Sequence, residues 1–261
     1  MKLPRPIWTL SSCALLLAQG CSSASLSPAD LARLRDERGI HVVHHPPRVT
    51  FAFITKEGAT ERRPPAMPPL LLAPIFLTLE VVAMTAAGMS DLQRAQAVGE
   101  WMLREYGIDD PVLRVAAHFV ELLTRDAEIR NIRQPSTAAP SDNFGAMRQA
   151  VGGGVAIDFK TITWVVFSHH LDPYRYVVVY RAHARLLRLD EDKVLWEADC
   201  DLPRKPGDIP RQHINSLPTL EELMADRGAA LKARFEQEAD TCAEYLIGRL
   251  TGKTAAEKAN R

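Results

Sequence analysis

The chain has 261 residues, and its 32 lysines and arginines are balanced by 32 aspartates and glutamates, so the formal net charge is zero. This balance gives no electrostatic basis for binding nucleic acid, and we expect no nucleic-acid partner. The length suffices for one substantial domain or two small ones.

The first 20 residues have the layout of an export signal. Lys2 and Arg5 form a short positive region, an apolar stretch runs from Leu10 to Ala18, and small residues follow. The apolar stretch is too short to remain in a bilayer as a spanning helix. We therefore expect residues 1–20 to be removed, which leaves 30 basic and 32 acidic residues.

The sequence AQGC at residues 18–21 resembles the lipobox of bacterial lipoproteins. The resemblance implies cleavage before Cys21 and acyl chains, such as palmitate, on that cysteine. Two or more chains hold a protein firmly on a bilayer. Ser22 follows the cysteine, as in outer-membrane-bound members of the family, so we expect an outer-membrane anchor facing the periplasm. The alternative is an ordinary secretory signal that is cut near Ala24.

The rest of the chain divides into three parts. We expect residues 21–28 to form a lipidated tether, residues 29–251 a single α+β periplasmic domain, and residues 252–261 a flexible tail. The domain carries a helical and apolar insert at 70–132. We predict an antiparallel sheet, built from a three-stranded meander at 154–201 plus amino-terminal strands, packed by a long C-terminal helix and a central helical segment.

In chain order, the patterns first predict a short helix at 27–38 and strands in HVVHH and VTFAFIT, followed by a proline-rich stretch at 61–69. Amphipathic helices are expected from Ser90 to Tyr106 and, after the Asp110-Pro111 cap, to about Ile129.

Residues 70–89 are a second candidate for membrane contact, because Glu80 is their only charged residue. The length would permit a spanning helix. Pro74 and the cost of a midmembrane acid favour instead a buried helix or an apolar surface that contacts a partner or the bilayer.

The meander carries the clearest strand patterns. Residues 154–170 and 174–190 are rich in β-branched and aromatic residues, and VLWEADCD at 194–201 alternates between apolar and polar. A change of parity near Lys160 predicts a bulge in the first strand. In the second strand, apolar residues face one way, whereas Arg181, His183 and Arg185 face the other, solvated way as a basic strip that a partner could bind.

The remaining cysteines form an isolated pair, since Cys13 leaves with the signal and Cys21 is acylated. Cys200 lies on the apolar face of its strand. Cys242 lies on the apolar stripe of a helix that a capping box at Thr219 and Glu222 begins and Gly252 ends. Export places both in a compartment that permits disulfides, so we predict a Cys200–Cys242 bridge; two buried free thiols are the alternative.

Catalytic and metal-binding patterns were sought as well. The chain has no nucleophile elbow, no H-E-x-x-H and no C-x-x-C, and its triple glycine at 152–154 leads into a strand rather than a helix. His41 and His45 share a face but stand about 13 Å apart. His169 could reach His183 across the hairpin to form a zinc or copper site, but no third ligand is evident. We therefore predict no enzyme, no cofactor and no metal.

The lipobox, the meander and the terminal helix together resemble small α/β periplasmic auxiliary lipoproteins of ABC-type envelope transporters. The resemblance implies a non-catalytic structural or assembly accessory with envelope protein partners. The alternative is a transport auxiliary that binds lipid or apolar cargo through residues 70–89.

Overall fold

The computed structural model describes residues 25–46, 51–54, 88–200 and 211–253. In this part of the chain, five α-helices accompany one six-stranded sheet. The helices are α1 (Pro28–Asp36), α2 (Gly88–Tyr106), α3 (Val112–Asp126), α4 (Phe144–Val151) and α5 (Leu220–Thr251). The strands are β1 (Ile40–His44), β2 (Ala52–Ile54), β3 (Ile132–Ala138), β4 (Val155–Ser168), β5 (Tyr176–Arg188) and β6 (Lys193–Asp199).

The sheet is mixed, which corrects the prediction of a purely antiparallel one. Its strands are ordered β3-β1-β4-β5-β6. Strand β2 pairs with the last part of β4, on the same edge of β4 where β1 pairs with the first part. The meander β4-β5-β6 is antiparallel as expected. The amino-terminal strands β1 and β2 instead run parallel to β4, and β3 runs parallel to β1. Helices lie between these parallel strands along the chain, and such crossovers allow parallel pairing.

The predicted bulge in β4 is confirmed. The register with β5 shifts between Thr161 and Thr163. Because of this shift, Phe159 before the bulge and Trp164 after it both point into the main core. The same region of β4 separates the part paired with β1 from the part paired with β2.

The main hydrophobic core lies between one face of the sheet and helices α3 and α5. Phe119 of α3 packs edge-on against Phe159 of β4, with ring centroids 5.3 Å apart. Trp164 of β4 lies 5.7 Å from Phe235 of α5. Each such fully buried side chain stabilises the fold by about 1.5–3 kcal/mol, so these helices are firmly held on the sheet.

The predicted C-terminal helix begins and ends where its caps indicate, but it is interrupted. Thr219 and Glu222 form the capping box, and Gly252 adopts a left-handed conformation just past the end. The backbone leaves the helical region at Ala225–Gly228. Gly228 has a φ of +74°, and a Cβ there would lie 3.1 Å from the Tyr106 ring, so glycine suits both the conformation and the close approach.

The second face of the sheet is not simply solvated, which corrects the expectation for this face. Helix α4 covers one end through Met147, which packs against Val43, Ala156 and Leu187. The other end carries an apolar patch that includes Ala95 of α2 and the sheet residues Ala52, Ile54, Phe167 and Val177. Charged side chains of β4, β5 and β6 fill the space between these two apolar patches.

Candidate functional site

The predicted basic strip lies on the second face of the sheet. Arg181, His183 and Arg185 alternate along β5 between Val177 and Leu187, which belong to the two apolar patches. The strip is less exposed than its sequence pattern indicates, because the side chains of His183 and Arg185 retain 16% and 13% of their accessible surface. Acidic residues from β4 and β6 surround it.

Arg185 forms an ion pair with its direct cross-strand partner, Asp158. The guanidinium Nε lies 3.1 and 3.2 Å from the two carboxylate oxygens, and one terminal nitrogen lies 2.5 Å from Oδ2. The same terminal nitrogen donates to the backbone carbonyl of Asp142 at 2.8 Å. The Asp142 carboxylate in turn receives Lys160 Nζ at 2.9 Å. Arg185 is thus held within a charge network rather than presented as a surface cation.

His45 also belongs to this network and contacts the carboxylate of Asp158. Its Nε2 lies 3.0 Å from Oδ2 of Asp158, and its Nδ1 lies 3.3 Å from the carbonyl oxygen of Ala139. Both His45 and Asp158 are almost fully buried. Burial alone would raise the pKa of Asp158, but the hydrogen bonds from His45 and Arg185 outweigh it and lower this pKa below its ordinary value. Asp158 is therefore a buried carboxylate that is ionised at neutral pH.

The other two residues of the strip are engaged too. His183 Nδ1 lies 2.6 Å from Oδ1 of Asp199, and its Nε2 lies 3.9 Å from a Glu197 oxygen. Arg181 also has an interaction partner. Since Glu197 and Asp199 are about half exposed, this end of the strip presents acids as well as bases to solvent. The surface is a mixed polar patch rather than a basic one.

A second polar cluster lies on the core side of β4. Oδ1 of Asp110 accepts hydrogen bonds from the Val112 backbone at 2.9 Å and from the Thr161 hydroxyl at 2.6 Å. Its buried Oδ2 has no hydrogen-bond partner among the described residues. Burial raises the pKa of Asp110 despite the opposing effect of those hydrogen bonds and of His44. The Tyr180 hydroxyl lies 3.2 Å from that of Thr161, and burial raises the Tyr180 pKa as well.

His44 and Ser136 form a hydrogen bond of 3.2 Å at the edge of this cluster. Burial and the neighbouring His45 lower the pKa of His44, although Asp110 opposes this effect. A serine beside a neutral histidine is the start of a nucleophile–base pair. However, no hydrogen bond joins His44 to Asp110 within the described ranges, so no acid orients the imidazole as a catalytic triad requires.

The two predicted disulfide cysteines lie at disulfide distance. Their Cα atoms are 5.4 Å apart, and both side chains are fully buried on the helix-covered side of the sheet. Cys200 directly follows β6 and donates its backbone N–H to the carbonyl of Ala182 at 2.8 Å. Cys242 lies on α5, so the pair connects the last strand to the terminal helix.

The predicted proximity of His169 and His183 is wrong. The register places His183 opposite Lys160, whereas His169 pairs with Arg175 beside the turn. The two histidines are thus separated by about eight residues of strand, or roughly 26 Å. Among the described residues, no group of three histidine, cysteine or acidic side chains is arranged to hold a metal ion.

Several predicted features lie outside the described residues. These include the signal, residues 21–24 of the tether with Cys21, residues 70–87 of the apolar segment and residues 254–261 of the tail, whereas residues 88 and 89 of that segment begin α2. Within the described ranges, none of the helices combines the length and the apolar character needed to cross a membrane.

The sequence patterns missed Asp158 and His45. The strand pattern did not single out Asp158, and His45 was considered only as a metal ligand. A single acid within an otherwise apolar strand stretch, VAIDF at 155–159, was the available signal for a buried charge. Its partners became identifiable only through the pairing of β4 with both β1 and β5.

Comparisons of the chain with protein-family models, with curated proteins and with solved structures found no significant match.

Proposed function

We propose that the chain is an outer-membrane-anchored periplasmic lipoprotein, held by Cys21, that acts as a non-catalytic structural or assembly accessory of an envelope complex. The observation that carries this proposal is the distribution of the four cysteines. One lies within an export signal, one ends a lipobox-like sequence, and the other two lie 5.4 Å apart between their Cα atoms. A buried pair at this spacing suits an exported protein, because disulfides persist in oxidising compartments.

The polar chemistry of the domain supports an accessory rather than an enzyme. The carboxylate of Asp158 interacts with Arg185 and His45, and His183 interacts with Asp199. Groups held in this way by one another stiffen a fold but offer no unengaged base or nucleophile to a substrate. Interactions with a partner would then involve the exposed end of the mixed polar patch, where Glu197 and Asp199 lie beside His183, through hydrogen bonds rather than net charge.

A transport auxiliary that binds lipid or apolar cargo is the second candidate. Residues 70–89 favour it, because this stretch carries only one charged residue, Glu80. Lipid that copurifies with the chain and is lost when residues 70–89 are deleted would favour this function over a scaffold. The same amount of lipid on both chains would exclude the segment as the cargo site.

The anchor is tested by metabolic labelling of cells with an alkyne fatty acid. The wild-type chain should be labelled and should sediment with outer-membrane vesicles, whereas Cys21→Ala should lose both properties. Cys13→Ala is the matched control, because it removes a cysteine from the signal and should leave labelling unchanged. Equal labelling of the wild type and Cys21→Ala would overturn the anchor, as would a wild-type chain that is not labelled.

A further inference from the structure

The turn between β4 and β5 exposes two large apolar side chains. Leu171 and Tyr174 retain 50% and 42% of their accessible surface. In the described part of the chain, only two other large hydrophobic residues are exposed to this degree, Leu113 on α3 and Val194 on β6, and each is isolated from the other in sequence. Single exposed apolar residues are ordinary on protein surfaces, whereas two in one turn suggest a contact site.

The turn that carries these side chains is well ordered by hydrogen bonds. The His169 N–H donates to the carbonyl of Arg175 at 2.7 Å. The Leu171 N–H donates to Nδ1 of the buried His169 at 3.2 Å, and the Tyr174 N–H donates to Oδ1 of Asp172 at 3.0 Å. A turn fixed in this way loses little conformational freedom on binding, which favours affinity.

The turn lies at the opposite end of the domain from the amino-terminus. Leu26 donates its N–H to the carbonyl of Leu250, at the last turn of α5, whereas Tyr176 donates to Pro218, just before α5 begins. Glu37 likewise pairs with Arg188, at the end of β5 that is remote from the turn. Because β4 has 14 residues, about 46 Å of strand separates the two ends.

A lipid on Cys21 would therefore attach the domain to the membrane by the end opposite the turn and let the turn extend away from the bilayer surface. Four residues separate Cys21 from Leu26, and the five steps between the two Cα atoms span at most about 18 Å when fully extended. The amino-terminal end of the domain would remain near the membrane, and the far end of the sheet would project into the periplasm.

We infer, on the basis of the proposed function, that the turn at residues 169–175 is the site where the lipoprotein docks on its partner, here called the docking tip. Leu171 and Tyr174 would insert into an apolar pocket of a folded envelope protein. A lipid surface fits less well, because binding to anionic lipid draws on lysines and arginines. The turn contains the acid Asp172, and Arg175 is the one lysine or arginine among residues 169–175. Arg175 is already engaged within the domain, because it donates to the Leu217 carbonyl at 2.7 Å and lies 3.6 Å from Glu222.

The tip is tested by site-specific photocrosslinking in cells that produce the full lipidated chain. The photoreactive residue p-benzoylphenylalanine replaces Leu171, Tyr174 or, as the control position, Val194. We expect an adduct with one envelope protein, identified by mass spectrometry, from positions 171 and 174 but not from 194. The adduct from position 174 should be lost in the Leu171→Ser background and retained in the Leu113→Ser background, with the melting temperature unchanged in both.

Any one of four other outcomes would refute the inference that this turn is the docking tip. These are the absence of an adduct at 171 and 174, equal capture at 194, adducts with lipid alone, or an adduct that Leu171→Ser leaves intact. Fatty-acid labelling of the same cells separates the two proposals. A labelled chain without a tip-specific adduct refutes the tip and leaves the anchor standing, whereas an unlabelled chain refutes the anchor on which the tip depends.

Discussion

Asp158 and Arg185 are direct partners across the β4–β5 pair, and their side chains form an ion pair on the second face of the sheet. His45 reaches the same carboxylate from β1. The β4–β5 hairpin and the distant strand β1 therefore meet at one buried charge. Because removal of one member leaves the others buried without compensation, this network should be sensitive to single substitutions.

Asp158→Asn should lower the free energy of unfolding by about 3 kcal/mol, since it leaves the Arg185 guanidinium without its counter-charge. Urea denaturation of the purified chain measures this change. Arg33→Gln is the control, because the exposed Arg33–Asp30 pair should contribute less than about 0.5 kcal/mol. Similar small losses in both variants would show that the Asp158 carboxylate does not hold these strands together.

The same variant should change the acid response. Asp158 has a lowered pKa in the folded chain, so its stabilisation is present above the ordinary value of 3.8 and is lost as the pH falls through the folded-state pKa. The stability difference between the wild type and Asp158→Asn should be constant from pH 7 to about 5 and shrink at lower pH. Denaturation midpoints measured at several pH values test this. A difference that persists unchanged in acid would rule out the ionised carboxylate as its source.

Asp110→Asn should have the opposite effect. Burial raises the pKa of Asp110, so ionising this group destabilises the folded chain increasingly as the pH rises from 3.8 through the folded-state pKa. Asparagine keeps an oxygen that can accept from Thr161 and Val112 but carries no charge. We expect a melting temperature above that of the wild type at pH 7, with the gain vanishing near pH 4. A variant that is less stable than the wild type at pH 7 would contradict this reasoning.

The Cys200–Cys242 pair should contribute to stability through the loop that it closes. The two residues are 42 positions apart, and the chain-entropy relation gives about 4 kcal/mol for a bridge of this span. Cys242→Ala should lose about this amount, and a reducing agent should destabilise the wild type but not the variant. Thiol counting on denatured, unreduced protein from the periplasm should find neither thiol. Two titratable thiols per chain would refute the bridge.

Much of the fold follows from sequence patterns, but the pairing of its first strands does not. Alternation identified β4, β5 and β6, and the spacing of apolar residues identified α5 with the inward Cys242. Strand β3, IRQPSTA, was not predicted because it is a largely exposed edge strand that contains a proline and has no alternating pattern. Without β3, the sequence offered no reason to expect a parallel edge.

The sequence pattern predicted only part of the candidate site, because the rest depends on contacts between distant segments of the chain. The pattern identified Arg185 and His183 but placed them on a solvated face. Whether such a face is covered depends on packing that is distant in sequence, here of α4 on Val43 and Leu187. The break in α5 could not be predicted from the sequence either. A single glycine within a helical pattern, here Gly228, is compatible with a continuous helix, and its close contact with Tyr106 is visible only in the structure.

The most direct test of the lipoprotein assignment is mass spectrometry of the mature amino-terminal peptide from membranes of producing cells. The account predicts a peptide that begins at Cys21 and carries the added mass of acyl chains on that residue. A peptide without acyl mass that begins at Ser25, after cleavage beyond Ala24, would contradict it.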